Sequence, residues 1–319
     1  MGLHRPRHGS MQFWPRKKAR KEIPSVNWNP LENKNLGSKG ILGTIGYKAG
    51  MISVVVKDST PNSMTKGKQI TIPATIIECP PVKILGLRFY KNGITALDIL
   101  SDNLDKELKK KIKLPKVSQK DKLEKIKLED YDTLRLLIYS VPKSSKIKKV
   151  PDIVEVGIEG DMVTKLETAK KLLGKEINIG EVFDKGKLLD IRAVTKGKGF
   201  TGPIKRMGLH LKPHKTEKGL RRPGSLGPWH PAHVTYRAHQ AGQFGYFTRV
   251  KLNNKIIDIN SKENVQDIVI DNYGKINSNY LLVKGSVAGP LRRAVFLTYP
   301  LRPTKHTSKE VFEVVELHK

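Results

Sequence analysis

Short runs of alternating or continuous apolar residues, closed by glycine, proline or asparagine, recur along most of this 319-residue chain. From Ile41 to Asp58, ILGTIGYKAGMISVVVKD is rich in Ile and Val and broken by Gly43, Gly46 and Gly50, which predicts a strand, a tight turn and a second strand. QITIPATIIEC and VKILGLRFYK, separated by Pro80-Pro81, predict two further strands, and NGITALDIL follows after a turn. Pro73 suggests an edge position or a bulge. TLRLLIYSVP, PDIVEVGI, KLLDIRAVT, NKIIDI, NYLLVKGSV and RRAVFLTYP continue the series, with KEVFEVVEL as a candidate last strand. The clearest helical period lies between Asp161 and Gly174, where Met162, Val163, Leu166, Ala169, Leu172 and Leu173 keep one stripe. Asp161 is placed to cap that helix and Gly174 to end it. Many short strands with Gly/Pro turns argue for a mainly β fold with α insertions, built on a small closed β-barrel rather than a parallel sheet.

Three stretches break the strand pattern. Residues 1–38 show no period and are rich in Arg, Lys, Pro and Asn, which reads as an N-terminal extension without a core of its own, ordered only by its partner. Residues 39–319 then form the body, with an insertion at about 98–190. Within the insertion, residues 102–130 are charged, helix-prone and broken at Pro115, as in a surface element. The third stretch, about 197–249, is a central loop far longer than the usual connection of about 4–6 residues, and loops of that size inside compact domains tend to be functional.

Charge changes the picture more than composition does. The chain carries 60 Lys/Arg against 30 Asp/Glu, a net charge of +30. Between Asp98 and Asp190 the balance is close, 21 basic to 18 acidic residues. Elsewhere it is not. Residues 1–31 hold seven Lys/Arg and one acid, Glu22, and Ile191–Ile257 holds 14 Lys/Arg and five His with Glu217 as its lone acid. Lys275–Lys309 adds seven Lys/Arg and no acid. Segregated positive charge repels itself unless a polyanion offsets it, and nucleic acid fits better than a membrane or an acidic protein because each phosphate contacted releases counterions. Aromatic residues are 6% of the chain, too few for base stacking to be the main mode across the whole surface.

Several chemistries lack their residues. Cys79 is the single cysteine, so neither an intrachain disulfide nor a cysteine-based zinc site is available, and a reduced cytoplasmic location fits. No apolar run reaches the roughly 20 residues needed to span a bilayer, and MGLHRPRHGSMQFWPRKKARK has no signal-type apolar stretch. Gly197-Lys-Gly199-Phe-Thr-Gly202 matches G-x-G-x-x-G, but Pro203 follows and no helical period is visible, so a phosphate-approaching Gly-Lys loop is the better reading. No Gly-Lys pair precedes Ser or Thr, which excludes a P-loop. His230, His233 and His239 have neither acid nor thiolate beside them to complete a metal site or orient a catalytic base, so no metal, cofactor or enzymatic role is expected. They suit donation to phosphate or 2′-OH groups, or stacking on bases. A lone tryptophan is more often core, but Trp229 lies in a Gly/Pro-rich, acid-free setting with no local core, which favours stacking on RNA.

Four pieces carry a resemblance: HRPRHGSMQFWPRKKA at 4–19, GYKAGM at 46–51, VTKGKGFTGPIKRMG at 194–208, and KPHKTEKGLRRPGSLGPWHPAHVTYRAHQAGQFGYFTR at 212–249. Together they resemble the universal family of large-subunit ribosomal protein L three, in its archaeal and eukaryotic form. The resemblance implies a translation-type closed β-barrel with an inserted second region, and a structural protein bound to large-subunit rRNA. It further implies a central tryptophan finger, here about Arg221–Arg249, extending with the N-terminal segment toward the peptidyl transferase centre. Contacts near the rRNA 3′ region, early assembly, a role beside the path by which aminoacyl-tRNA enters, and neighbouring large-subunit proteins as partners are implied too. Some eukaryotic relatives carry a modifiable histidine where this chain has Glu217, so that modification is not carried over.

The charge blocks and the resemblance together nominate rRNA contacts. In the N-terminal extension they are Arg5, Arg7, His8, Trp14, Arg16, Lys17, Lys18 and Arg20. The loop contributes Lys196, Lys198, Lys205, Arg206, His214, Lys215, Lys218, Arg221 and Arg222, then Trp229, His230, His233, Arg237 and Arg249. Arg292 and Arg293 complete the set. An rRNA-modifying enzyme would need a cofactor pocket or an acid–base pair in these segments, and a DNA-compacting protein would bind duplex DNA about as well as rRNA.

Overall fold

The structure, a computed structural model, describes residues 10–32, 34, 38–115, 123, 126–260 and 268–318. They fall into two compact units. One joins the described residues up to Lys21 to Val194–Thr248; the other, the body, holds the described residues of Glu22–Ala193 and those from Arg249 onward.

The described chain is mainly β. In order it carries β1 (Gly43–Asp58), β2 (Gln69–Glu78), β3 (Val82–Lys91), β4 (Ile94–Leu100), β5 (Thr133–Ser140), β6 (Ile153–Gly157), β7 (Glu176–Ile177) and β8 (Leu188–Val194). After them come β9 (Phe200–Thr201), β10 (Gly242–Gln243), β11 (Thr248–Asn260), β12 (Val269–Ile270), β13 (Gly274–Lys275), β14 (Tyr280–Lys284), β15 (Ala294–Thr298) and β16 (Phe312–His318). Seven strands pair in the order β15-β8-β11-β14-β2-β1-β16, and β1 also pairs with β15, so the path of pairings returns to its first strand. The first half of β1 runs against β15, its second half against β16, and its other edge along β2.

The turn expected within Ile41–Asp58 is absent: β1 is one 16-residue strand. Its glycines answer crowding instead. A Cβ at Gly43 would lie 2.6 Å from the Leu297 carbonyl oxygen, at Gly46 2.5 Å from Ile77 Cγ2, and at Gly50 2.6 Å from Ile270 Cγ2. Close approach and turning both select glycine, and a linear pattern does not separate them. Pro73 is not on an edge strand, since β2 lies between β14 and β1; it pairs with Ser53 of β1, one residue beyond the end of the β14 ladder at Ala74.

The second sheet has the order β4-β3-β5-β6, with β7 also on β3. It begins at Val82, so VKILGLRFYK and NGITALDIL, which start before residue 98, belong to it. Alternation marks a strand but not the sheet it joins; Pro80-Pro81 marks the crossing. The helix forms at Met162–Leu172 and buries Ala169, yet Val163 is 58% exposed and the buried polar residue is Lys165. In 102–130, short 3-10 turns form at Lys106–Lys110 and Leu128–Asp130, and Leu108 is fully buried near Leu85, Leu137 and Tyr139; residues 116–122 and 124–125 lie outside the described set.

The reading of 1–38 as coreless fails in its second half. Trp28 and Leu31 are each 1% exposed in the main core, and the Trp28 ring meets Phe296 edge-on at 5.7 Å. Glu32 is buried too, accepting from Lys165 Nζ at 2.8 Å and Arg135 Nε at 3.2 Å, while Arg135 also reaches Glu155 at 2.8 Å. A polar, asparagine-rich flank hid these three anchors. Removing one member of a buried ion pair strands the other, at a cost of about 3–5 kcal/mol. Glu32→Ala is therefore expected to lower stability by about that amount in urea unfolding. Glu32→Leu combined with Lys165→Met should recover most of the loss, because Arg135 keeps Glu155; equal losses for both variants would refute the pairing.

Candidate nucleic-acid interface

The base of the central loop is a ribbon of two antiparallel segments. Thr195 N–H donates to the Phe247 carbonyl at 2.9 Å, Lys198 N–H to Phe244 at 2.9 Å, and Phe244 N–H to Gly199 at 2.9 Å. β9 then pairs with β10, Thr201 facing Gly242. Gly245 is obligatory here: its φ is +70°, and a Cβ would fall 2.1 Å from the Lys196 carbonyl oxygen. The ribbon leaves Lys196 and Lys198 exposed, with the Lys198 ammonium 4.7 Å from the Phe244 ring centre.

Beyond the ribbon, a helix of five residues, Pro203–Met207, does open after Gly202, contrary to the sequence reading. Proline is compatible with the first helical position, where its missing N–H would have no partner anyway. The nucleotide-binding context is still lacking, because the strand before the helix is a two-residue piece of antiparallel ribbon and not part of a parallel sheet.

The N-terminal segment docks on this base. Ala19 N–H donates to the Tyr246 carbonyl at 2.9 Å, and the Lys18 ammonium lies 5.3 Å from the Tyr246 ring centre. Arg16 Nη1 donates to the Arg206 carbonyl while its guanidinium stacks 5.1 Å from Trp14. Trp14 meets Tyr236 edge-on at 6.5 Å, and Arg237 lies 5.6 Å from the Tyr236 ring. Lys17 and Arg20 are exposed; Arg5, Arg7 and His8 lie outside the described residues.

Arg206 also ties the base of the loop together. Its Nε donates to the Gln243 carbonyl at 3.0 Å and its Nη1 to the Gln240 carbonyl at 2.9 Å, tying the short helix to the returning strand. Gly242 makes room, since a Cβ there would sit 3.0 Å from the guanidinium carbon. Burial, and then the neighbouring Arg16 charge, pull its pKa down.

Past the helix the loop has no buried residue from Leu209 to Gln240. Lys205, His214, Lys215, Lys218, Arg221, Arg222, His230, His233 and Arg237 are all exposed. Local turns hold the tip: Ala232 N–H donates to the Trp229 carbonyl at 2.8 Å, and His233 Nδ1 lies 2.9 Å from the Pro231 oxygen. Trp229 is 87% exposed beside Leu226, Pro228 and Val234. Among the described residues no group of three or more His, Cys, Asp or Glu is placed to hold a metal. Arg249, Arg292 and Arg293 belong to the body, where Arg292 Nη2 donates to the Tyr273 carbonyl at 3.0 Å.

Sequence reasoning passed over Tyr236, Phe244 and Tyr246, the rings on which cations of this unit lie. Their signal was present in the alternation of basic and aromatic residues through TYRAHQAGQFGYFTR. The unit has 17 Lys/Arg and Glu217 alone as acid, a net +16 of the chain's +30.

A near acid-free unit of exposed cations and aromatic rings, on a chain otherwise β-rich with a mixed surface, is the build of a polyanion-binding protein. Comparison narrows this. The family description Ribosomal protein L3 matches residues 1–318. Similar chains, each named large ribosomal subunit protein uL3, occur in three archaea. That of Methanobrevibacter smithii is 40% identical over 94% of this chain and 93% of its own. Those of Archaeoglobus fulgidus (40%, over 96% and 94%) and Methanocaldococcus jannaschii (38%, over 95% and 93%) are similar throughout. The chain belongs to the ribosomal protein L3 family.

With 87% of its surface free, Trp229 contributes little to folding, so Trp229→Ala should change the melting temperature of the free protein by no more than about 1–2 °C. A drop matching the about 3–5 kcal/mol of a truncated core aromatic would return it to a core. Arg206→Ala should behave oppositely, making the loop base sensitive to limited proteolysis while Lys205→Ala leaves it resistant.

Proposed function

We infer that this chain is a structural, non-enzymatic constituent of the large ribosomal subunit that binds large-subunit rRNA through its nearly acid-free unit. The observation that carries the reading is the ratio of 17 Lys/Arg to one acid in that unit, with exposed side chains from Lys205 to Arg237. Phosphates supply the missing negative charge, and stacked or exposed rings supply faces for unpaired bases. The relatives are named for the same subunit.

The finer reading follows from the family. The N-terminal segment up to about residue 21 and the loop at about 197–249 reach into rRNA near its 3′ region, with Trp229 near the tip of a finger at about Arg221–Arg249 directed toward the peptidyl transferase centre. There the protein supports subunit assembly and the path of incoming aminoacyl-tRNA. The pairing path that returns to β15 through β1 supports a translation-type closed barrel as the body. Neighbouring large-subunit proteins are partners, in the cytoplasm. No helix among the described residues is long and apolar enough to cross a membrane.

The protein should co-sediment with large subunits through a high-salt wash. For isolated rRNA fragments, log K against log salt should fall steeply, by about 0.7–0.9 per phosphate neutralised. Arg221→Ala is expected to reduce that slope by about one phosphate, whereas Arg206→Ala, whose guanidinium is occupied internally, should leave it nearly unchanged. Salt-insensitive binding would remove this unit as the RNA surface.

A further inference from the structure

The last strand reverses the charge of the stretch just before it. After the acid-free stretch Lys275–Lys309 come Glu310, Glu313 and Glu316, and no Lys or Arg occurs from 310 to 318. This strand, β16, ends the seven-stranded order and pairs with β1 alone. Its other edge, seven residues and about 20 Å long, has no strand beside it among the described residues.

A bulge decides what this edge presents. Glu313 faces Lys57 and Glu316 faces Val55, with the register shifting between Val55 and Val56. Residues three apart on a regular strand point to opposite faces. The extra residue, Val315, brings Glu313 and Glu316 to the same face, the one opposite buried Phe312. Val315 is 53% exposed, and Val311, just before the strand, 47%. Glu313 accepts from Ser59 Oγ at 3.0 Å and Glu316 lies 3.4 Å from His318 Nε2. Glu310 is engaged inward by Lys284 at 2.7 Å.

We propose that β16 is a protein-docking edge, which takes an extended, Lys/Arg-rich segment of a neighbouring protein by strand addition. Edge strands offer unpaired backbone groups that a peptide can extend, with side chains setting specificity. Here the outward carboxylates repel RNA phosphates, and they equally repel a second copy of β16. A basic strand is the occupant whose charge complements theirs, with Val311 and Val315 giving it apolar contact. The inference rests on the ribosomal reading above and adds to it the surface that faces protein rather than RNA.

The test places a photo-crosslinking benzoylphenylalanine at Val315, and separately at Val311, in the full chain, and isolates large subunits that contain it. The same probe at exposed Val163 on the helix is the control. Expected is an adduct from the β16 sites, absent from the control, to an extended Lys/Arg-rich peptide of another protein. Glu313→Lys with Glu316→Lys should enter the subunit and lose that adduct at least tenfold. Crosslinks to RNA or to a second copy, no crosslink at either site, or an adduct unaffected by charge reversal would each overturn the proposal. Failure of the wild-type chain to enter large subunits would instead refute the ribosomal reading, so the two failures are distinguishable.

Discussion

A concentration of positive charge that its own unit cannot neutralise is the constraint to which the rest of this molecule answers. With 17 Lys/Arg and only Glu217 as acid, the unit formed by the N-terminal segment and the central loop has one carboxylate for ion pairs. Its cations are held by other means. Arg206 donates to two backbone carbonyls and Arg16 to a third, while Lys18, Lys198 and Arg237 lie over the rings of Tyr246, Phe244 and Tyr236. A cation over a ring at an exposed site gains about 0.5–1 kcal/mol, enough to orient a side chain. Carbonyls and rings position charge without cancelling it. The unit keeps its geometry and its full attraction for a polyanion.

The body uses its acids in the opposite way. Glu78 is fully buried and accepts from Tyr273 Oη, from the main-chain N–H groups of Asn277 and Ser278, and from Ser278 Oγ, which fastens the segment after β13 to the end of β2. Asp190 accepts from Asn253 N–H and Leu301 N–H, joining three parts of the larger sheet. Glu32 holds the chain before β1 to the second sheet and its helix through Arg135 and Lys165. Several donors converge on each of these carboxylates, and such charge-assisted hydrogen bonds are among the stronger ones where water is excluded. Glu313 and Glu316, by contrast, are exposed on the last strand.

Strand character and charge placement were legible in the sequence, because both are carried by neighbouring residues. The runs from Gln69, Val82, Thr133 and Leu188 became strands, the helix formed where its period lay, and the nearly acid-free stretch after Ile191 contains the exposed loop. The candidate site was legible as a set of basic residues but not as a set of roles. Arg206 and Lys205 are adjacent and equally charged, yet one is tied to Gln240 and Gln243 and the other faces solvent. The carbonyls that hold Arg206 lie 37 and 34 residues away, beyond any local pattern.

The sequence by itself determined that this is a mainly β, strongly basic chain with segregated charge, since alternation, glycine and proline punctuation and net charge are sums over local residues. Tertiary structure alone decided the rest. It made Gly43, Gly46 and Gly50 sites of close approach within one long strand, because Leu297, Ile77 and Ile270 come from distant parts of the chain. It drew Trp28, Leu31 and Glu32 out of an apparent extension into the core, and assigned β3 and β4 to the second sheet. It placed Glu313 and Glu316 on one face through a bulge whose register exists only against β1. The physical reason is the same throughout: a residue's environment is set by what packs against it, and most of those partners are remote in sequence.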